Sequence, residues 1–269
     1  MNARPIHLVK HHGLGNDFLV LLDPPDGLDA PELARQACAR RRGVGADGLL
    51  IARPAVEGAD VTMELRNADG GRAEMSGNGI RCFAHALWDA GRAPDERIAI
   101  ATDGGLRMVR RVGGFDEAGR SIRAAVDMGP VKVVADAPEW IRGSVEQAAL
   151  VDAGNPHLVL LDPSVRDVDI QRTGPMIESQ FPDGINVEWI WPGPDPGALT
   201  LRVWERGAGE TEACGTGSCA AVAAGVSWGR IGPQVMVHNP GGDVTVELAD
   251  TATLIGPSTR IAAVEVMWP

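Results

Sequence analysis

The chain is poor in lysine and cysteine, short of positive charge, and without a long apolar run. Its 269 residues include two lysines, Lys10 and Lys132, neither near a glycine-rich loop, which argues against a pyridoxal phosphate Schiff base. The four cysteines (Cys38, Cys82, Cys214, Cys219) show no CxxC spacing, which disfavours zinc, a redox pair and a disulfide scaffold. Reduced thiols are the default, and Cys38 and Cys82, in helix-like stretches, read as small buried hydrophobes. Twenty-five basic against 36 acidic side chains leave a formal net charge of −11, which repels a phosphate backbone, so no nucleic-acid partner is expected. The cluster Arg40-Arg41-Arg42 ends a predicted helix over 31–41 and reads as a solvated, dipole-complementing C-terminus. No apolar run approaches a bilayer-spanning length, and the opening Met1-Asn2-Ala3-Arg4-Pro5 has no apolar signal core; a cytoplasmic protein with no membrane partner is expected. No GxxxxGK[ST] occurs. Gly43-x-Gly45-x-x-Gly48 follows a helix and precedes a strand, the reverse of the dinucleotide-binding order.

What the chain does contain is itself, twice. Gly15-Asn16-x-x-Leu19-Val20-Leu21 recurs as Gly154-Asn155-x-x-Leu158-Val159-Leu160, an offset of 139. Asp47-Gly48-Leu49 recurs as Asp183-Gly184-Ile185, offset 136, and Thr62-x-x-Leu65 as Thr200-x-x-Val203, offset 138. Glu74-x-Ser76-Gly77-x-Gly79 recurs as Glu212-x-Cys214-Gly215-x-Gly217, and Gly91-Arg92 as Gly229-Arg230, both at 138. Matches in one order at nearly one spacing argue for duplication. The expected halves are 1–118, joined by a returning C-terminal strand 259–269, and 119–258, with a linker at 113–119.

Strands are predicted at 6–10, 18–22, 48–52, 61–66, 122–128, 133–135, 187–191, 199–205, 235–238, 244–248 and 261–267. Ile80, Phe83, Ala84, Leu87 and Trp88 follow the helical period, predicting an amphipathic helix ended by Gly91. A second helix, 216–228, is apolar nearly all round, as one enclosed by sheet would be. The fold class expected is α/β: two pseudo-symmetric domains, each a mostly antiparallel or mixed sheet wrapped around a central helix.

Both helices open on glycine-rich segments. Helix N-termini carry unpaired amides and partial positive charge, so Gly77-Asn78-Gly79 and Gly215-Thr216-Gly217 together suit a substrate carboxylate. The same field predicts a lowered pKa for Cys214, which stands immediately before its helix. A mirrored pair, Ser76 and Cys214, on opposite walls of one cleft would suit inversion of a carbon, which needs a base on one face and an acid on the other.

His12-Gly13-Leu14-Gly15-Asn16-Asp17-Phe18, Asn67-Ala68-Asp69-Gly70, Glu74-Met75-Ser76-Gly77-Asn78-Gly79-Ile80-Arg81-Cys82, Gly154-Asn155-Pro156-His157, Asn186-Val187-Glu188 and 205–217 together resemble the diaminopimelate epimerase family over nearly the whole chain. The resemblance implies a homodimer and interconversion of LL- and meso-2,6-diaminopimelate without metal or other cofactor, in the formation of lysine and peptidoglycan precursors. It implies Cys214 as the proton-accepting cysteine, and Asn16, Asn67, Gly77, Asn78, Asn155, Asn186, Glu205, Arg206, Gly215 and Thr216 as substrate-binding positions, with His157 and Glu205 tuning the catalytic groups. Gly48 stands where some members place a substrate-contacting glutamine. Ser76 stands where the family's proton-donating cysteine belongs, and a hydroxyl is a far weaker acid than a thiol. A natural variant, an engineered Cys-to-Ser form, a one-base isomerase or eliminating enzyme on another amino-acid-like substrate, and a catalytically impaired substrate binder are all consistent with that serine.

Overall fold

The computed structural model describes residues 4–93 and 95–268; Met1, Asn2 and Ala3 of the opening segment lie outside them. The chain divides into two compact units, Met1–Val126 with Gly256–Pro269, and Asp127–Ile255.

The first unit runs β1 (Arg4–Gly13), β2 (Asn16–Leu21), α1 (Ala30–Ala37), β3 (Gly48–Arg53), β4 (Val61–Asn67), β5 (Arg72–Ala73), α2 (Gly77–Asp89), β6 (Arg97–Thr102), β7 (Gly105–Val112) and the start of β8 (Ser121–Gly129). The second continues with β9 (Lys132–Asp136), α3 (Glu139–Arg142), β10 (Gln147–Asp152), β11 (Pro156–Leu161), α4 (Ile170–Glu178), β12 (Asn186–Pro192), β13 (Leu199–Glu205), β14 (Gly209–Thr211), α5 (Gly215–Ser227), β15 (Gln234–Asn239), β16 (Gly242–Leu248) and β17 (Ala252–Trp268), whose later part belongs to the first unit.

In the first unit β17 pairs with β1, β1 with β2, β2 with β3, β3 with β4, β4 with β6, β6 with β7, β7 with β8, and β8 with β17 again, so eight strands close on themselves. Two of these ladders, β2–β3 and β4–β6, are parallel. The second unit repeats the pattern: its parallel ladders are β11–β12 and β13–β15. The registers repeat too, with Phe18 opposite Gly48 in one and His157 opposite Asn186 in the other.

The continuous apolar runs of β2 and β3 are what burial on both faces requires. Leu19, Leu21, Leu49 and Ile51 pack with Leu33, Ala34 and Ala37 of α1 in one core cluster. By the period of two, Phe18, Val20 and Leu50 face the other way. In the second unit Leu158, Leu160, Val187 and Trp189 pack with Ile170 of α4, which turns His157 and Glu188 to the opposite face, towards α5.

Several expectations need correcting. Helix α1 stops at Ala37, because the following loop folds back on its end: the amides of Val44 and Gly45 bond to the Ala37 carbonyl, and a Cβ on Gly43 would lie 2.1 Å from the Gln36 oxygen. Arg40 therefore caps no helix and pairs with Asp17 and Asp47 instead. Helix α2 is buried on every side from Gly77 to Trp88, including Arg81 and His85, so it is enclosed like α5 rather than amphipathic against solvent. Residues 113–119 link β7 to β8, and Val109 pairs with Val126; the units divide later, within β8, because its first half is hydrogen-bonded to β7. Strands β6, β7, β10 and β11 were not among the predicted strands.

Candidate active site

Ser76 and Cys214 hold the same structural position in their units. Each is the N-cap of its central helix with extended backbone, φ −137° and ψ 123° at Ser76, φ −119° and ψ 120° at Cys214. Ser76 Oγ accepts from the Gly79 amide at 3.0 Å, and Cys214 Sγ from the Gly217 amide at 3.3 Å. Gly77 and Asn78, and Gly215 and Thr216, open the two helices and carry the amides that precede the first intrahelical bond.

Around that shared position the halves differ. In the second unit a buried chain of polar groups runs from Asn155 through His157 to Glu188: His157 lies 2.8 Å from Asn155 Oδ1 through Nε2 and 2.7 Å from Glu188 Oε1 through Nδ1. Both His157 and Glu188 are fully buried. A Cβ on Gly217 would stand 2.7 Å from Glu188 Oε1, so this carboxylate lies directly against the first turn of α5. Glu205, at the end of β13, takes a hydrogen bond from the Thr211 hydroxyl and lies within hydrogen-bonding range of Cys214.

The expected lowering of the Cys214 pKa is overturned. Burial, and then the charges of Glu205 and Glu188, push the thiol well above its ordinary value, outweighing the opposing bonds from Thr216 and the Gly217 amide. Glu205 is itself raised by burial, against the Thr211 and Cys214 hydrogen bonds that favour its charged form. A helix terminus supplies only partial charge, and two carboxylates nearby exceed it.

The matching strand registers assign the counterparts in the first unit: Phe18 for His157, Leu50 for Glu188, Asn67 for Glu205 and Ala68 for Arg206. Phe18 lies under Gly79, where a Cβ would meet its ring at 3.3 Å. Ser76 thus has an apolar floor where Cys214 has a carboxylate.

The amide residues are placed as follows. Asn16 donates to Asp47 at 2.7 Å, and Asn78 Nδ2 lies 3.4 Å from Asn16 Oδ1 while Asn78 Oδ1 accepts from buried Arg81 at 2.5 Å. Asn67 is exposed at the end of β4. Asn186 spends its amide on backbone, donating to the Pro156 carbonyl at 2.9 Å and accepting from the Arg206 amide at 3.0 Å; it positions Arg206. The exposed Arg206 guanidinium donates to the Asp183 carbonyl at 3.0 Å. Asn155, His157, Asn186, Glu205, Arg206, Cys214, Gly215 and Thr216 are therefore borne by one unit, and Asn16, Asn67, Ser76, Gly77 and Asn78 by the other.

Sequence reasoning gave no role to Glu188, Arg81 or Asp47. Glu188 carried a signal, a lone acid in the apolar run Val187-Glu188-Trp189-Ile190, and Arg81 another, a cation among helix positions that are otherwise apolar. Among the described residues no group of three or more acidic, histidine or cysteine side chains is placed to hold a metal, and no helix is long and apolar enough to cross a membrane.

The family model for diaminopimelate epimerase matches residues 8–134 and 149–261. The chain is similar to the diaminopimelate epimerase of Desulfitobacterium hafniense, 41% identical over 95% of this chain and 96% of that one. It is likewise similar to the enzyme of that name from Corynebacterium glutamicum, at 40% over 97% and 98%. In fold it resembles a phenazine biosynthesis protein from Bacillus anthracis (TM-score 0.75, 18% identity, covering 98% of this chain and 99% of that one). A hydroxyproline epimerase from Agrobacterium vitis resembles it as closely (TM-score 0.74, 19% identity, 98% and 93%). With family-model and full-length matches at this identity, the chain belongs to the diaminopimelate epimerase family.

Proposed function

We propose that this protein interconverts LL- and meso-2,6-diaminopimelate by taking a proton from one face of the α-carbon and returning one to the other, with no cofactor. The observation that carries the reading is a buried thiol at the entry of α5, with Glu205 in hydrogen-bonding range and the His157–Glu188 pair beneath. Cys214 hands its proton to Glu205, whose raised pKa makes it a competent acceptor, and the thiolate then removes the α-proton. The electron pair left on carbon passes into the substrate carboxylate, whose second charge the amides of Gly215 and Thr216 are suited to stabilise; the family resemblance gives Gly77 and Asn78 a substrate-binding role as well. The family resemblance assigns the remaining ammonium and carboxylate groups to Asn16, Asn67, Asn155 and Arg206, and Asn186 bonds the Arg206 amide. The family resemblance gives Ser76 the part of the second proton carrier.

A one-base enzyme is the second reading, favoured by the apolar Phe18 and Leu50 that replace the histidine and the carboxylate in the half that carries Ser76. The family resemblance further supports a cytoplasmic homodimer, which sedimentation equilibrium on the purified chain would test by mass. The activity is tested by incubation with LL-diaminopimelate in deuterated water, reading deuterium at the α-carbon and isomer composition separately. Both are expected with the wild-type chain, and both are lost in Cys214→Ser. Exchange that survives in Cys214→Ser would remove the thiol from the mechanism.

A further inference from the structure

The two Asp-Gly steps, Asp47-Gly48 and Asp183-Gly184, have no part in the proton chemistry, yet each touches a site residue of its own unit, although the strand registers make Asn186 and not Gly184 the counterpart of Gly48. Asp183 offers its carbonyl to the Arg206 guanidinium at 3.0 Å. Asp47 uses its carboxylate: Oδ2 accepts from Asn16 Nδ2 at 2.7 Å and from the Asp17 amide at 3.0 Å, while Oδ1 pairs with Arg40 at 2.6 Å. Arg40 also donates to Asp17, and Lys10 lies 2.8 Å from Asp17, so the carboxylate is held from behind by a network of fixed charges.

A carboxylate can only accept hydrogen bonds, so Asn16 must turn its NH2 group towards Asp47 and its carbonyl oxygen away. At the other end of the chain Arg81, which can only donate, takes the oxygen of Asn78 and turns that side chain's NH2 towards Asn16. Donor and acceptor are therefore assigned at both amides by groups that have no alternative role. An oxygen presented by Asn16 suits an ammonium and opposes a carboxylate.

We propose that Asp47 is a positioning residue that locks the Asn16 amide with its oxygen towards the substrate, so that this position selects an ammonium group. The inference rests on the reading of Asn16 as a substrate contact. Asp47→Ala removes the acceptor; only the long 3.4 Å contact from Asn78 Nδ2 then favours one orientation of the Asn16 amide, and a flipped amide would face the ammonium with N–H. Asp47→Asn keeps one oxygen, which can accept from both Asn16 and the Asp17 amide; its NH2 cannot pair with the Arg40 guanidinium, which must then turn to Asp17 alone.

The test compares wild type, Asp47→Ala and Asp47→Asn by calorimetric Kd and KM for LL-diaminopimelate. Asp47→Ala is expected to raise both about tenfold and Asp47→Asn to stay within about threefold of wild type. If Asp47→Asn is as weak as Asp47→Ala, charge and not the acceptor matters, and the lock is wrong; unchanged Asp47→Ala overturns it as well. A second measurement needs no substrate: the Asn16 side-chain amide resonances, assigned with Asn16→Ser, should be shifted by the carboxylate in wild type and lose that shift in Asp47→Ala. Failure of the wild type to bind diaminopimelate would sink the function and leave this signature to decide the lock; an absent signature would sink the lock alone.

Discussion

At the scale of single residues the governing fact is an asymmetry between two side chains in one backbone setting. Cys214 and Ser76 cap matching helices with matching dihedral angles, so what separates them is chemistry and surroundings. Cys214 has Glu205 and the His157–Glu188 pair to exchange protons with. Ser76 has Phe18 and Leu50 at the corresponding positions, and its Oγ accepts from the Gly79 amide. A hydroxyl without a base beside it delivers a proton slowly. Same-face exchange of the isomer presented to Cys214 should therefore outrun inversion. Ser76→Cys is expected to raise inversion by at least about a hundredfold, the usual scale of an effective acid, with that exchange nearly unchanged. No gain in inversion would mean that the serine is already competent, or that the one-base reading holds. Cys214 was legible as reactive because it stands before a glycine-rich helix entry. The direction of its pKa was not, because the carboxylates that raise it come from strands 9 and 26 residues upstream.

At the scale of elements, glycine at the third helical position lets each cap form. Gly217 needs no unusual φ; what it lacks is a side chain, since a Cβ would meet Glu188 Oε1 at 2.7 Å and Cys214 Sγ at 3.3 Å. At Gly79 the corresponding approach is looser, 3.1 Å to Ser76 Cβ and 3.3 Å to Phe18. Gly217→Ala must push a buried, histidine-bound carboxylate, a displacement costing on the order of 1–3 kcal/mol. It is expected to lower proton exchange more than Gly79→Ala does, with a lower melting temperature. Equal effects from the two variants would show that Glu188 moves freely and does not support the thiol. The two helix entries were readable from sequence because glycine and the capping residue are local signals. Strands β6 and β7 were not, because Arg97 and Arg110 on outer positions, and half-buried Arg107 and Arg111 on the same face as Val109, mask the buried Ile98, Ile100 and Val109. The all-round burial of α2 was hidden in the same way by Arg81 and His85, charged or polar residues whose partners, Asn78, the Pro257 carbonyl and Ser258, lie close in the fold.

At the scale of the whole chain, duplication gives both units one scaffold, and each uses its interior differently. Where the second unit buries the His157–Glu188 pair, the first buries His11 and His85 against each other, ring centroids 4.6 Å apart and edge to face. His85 Nδ1 meets Ser258 Oγ at 3.0 Å, whereas both nitrogens of His11 and Nε2 of His85 have no hydrogen-bond partner among the described residues. Burial is the main cause that lowers both pKa values from 6.5, to about 3 for His11 and about 4 for His85. His85, Arg260 and His12 add to the effect on His11; around His85, Asp89, Ser258 and Asp116 oppose it and Arg260 adds to it. Both rings are thus neutral when folded and protonated when unfolded between these values and 6.5, so the unfolded chain binds more protons there and stability falls as pH falls. The loss begins below pH about 6.5 and approaches about 1.4 kcal/mol per pH unit for each ring, until the folded values are reached. Paired carboxylates with lowered pKa, Asp17 and Glu64, add their own loss only at the acid end of that window, while Glu205, raised by burial, takes up its proton first in the folded chain and offsets part of the loss. Denaturant unfolding at pH 7.0, 6.0 and 5.0 is expected to show a midpoint that moves steadily down, and His11→Phe, which keeps a ring against His85 and cannot protonate, should flatten that dependence by about half. A midpoint independent of pH across this range, or an unchanged slope in His11→Phe, would show that the buried pair does not control the acid stability of the fold.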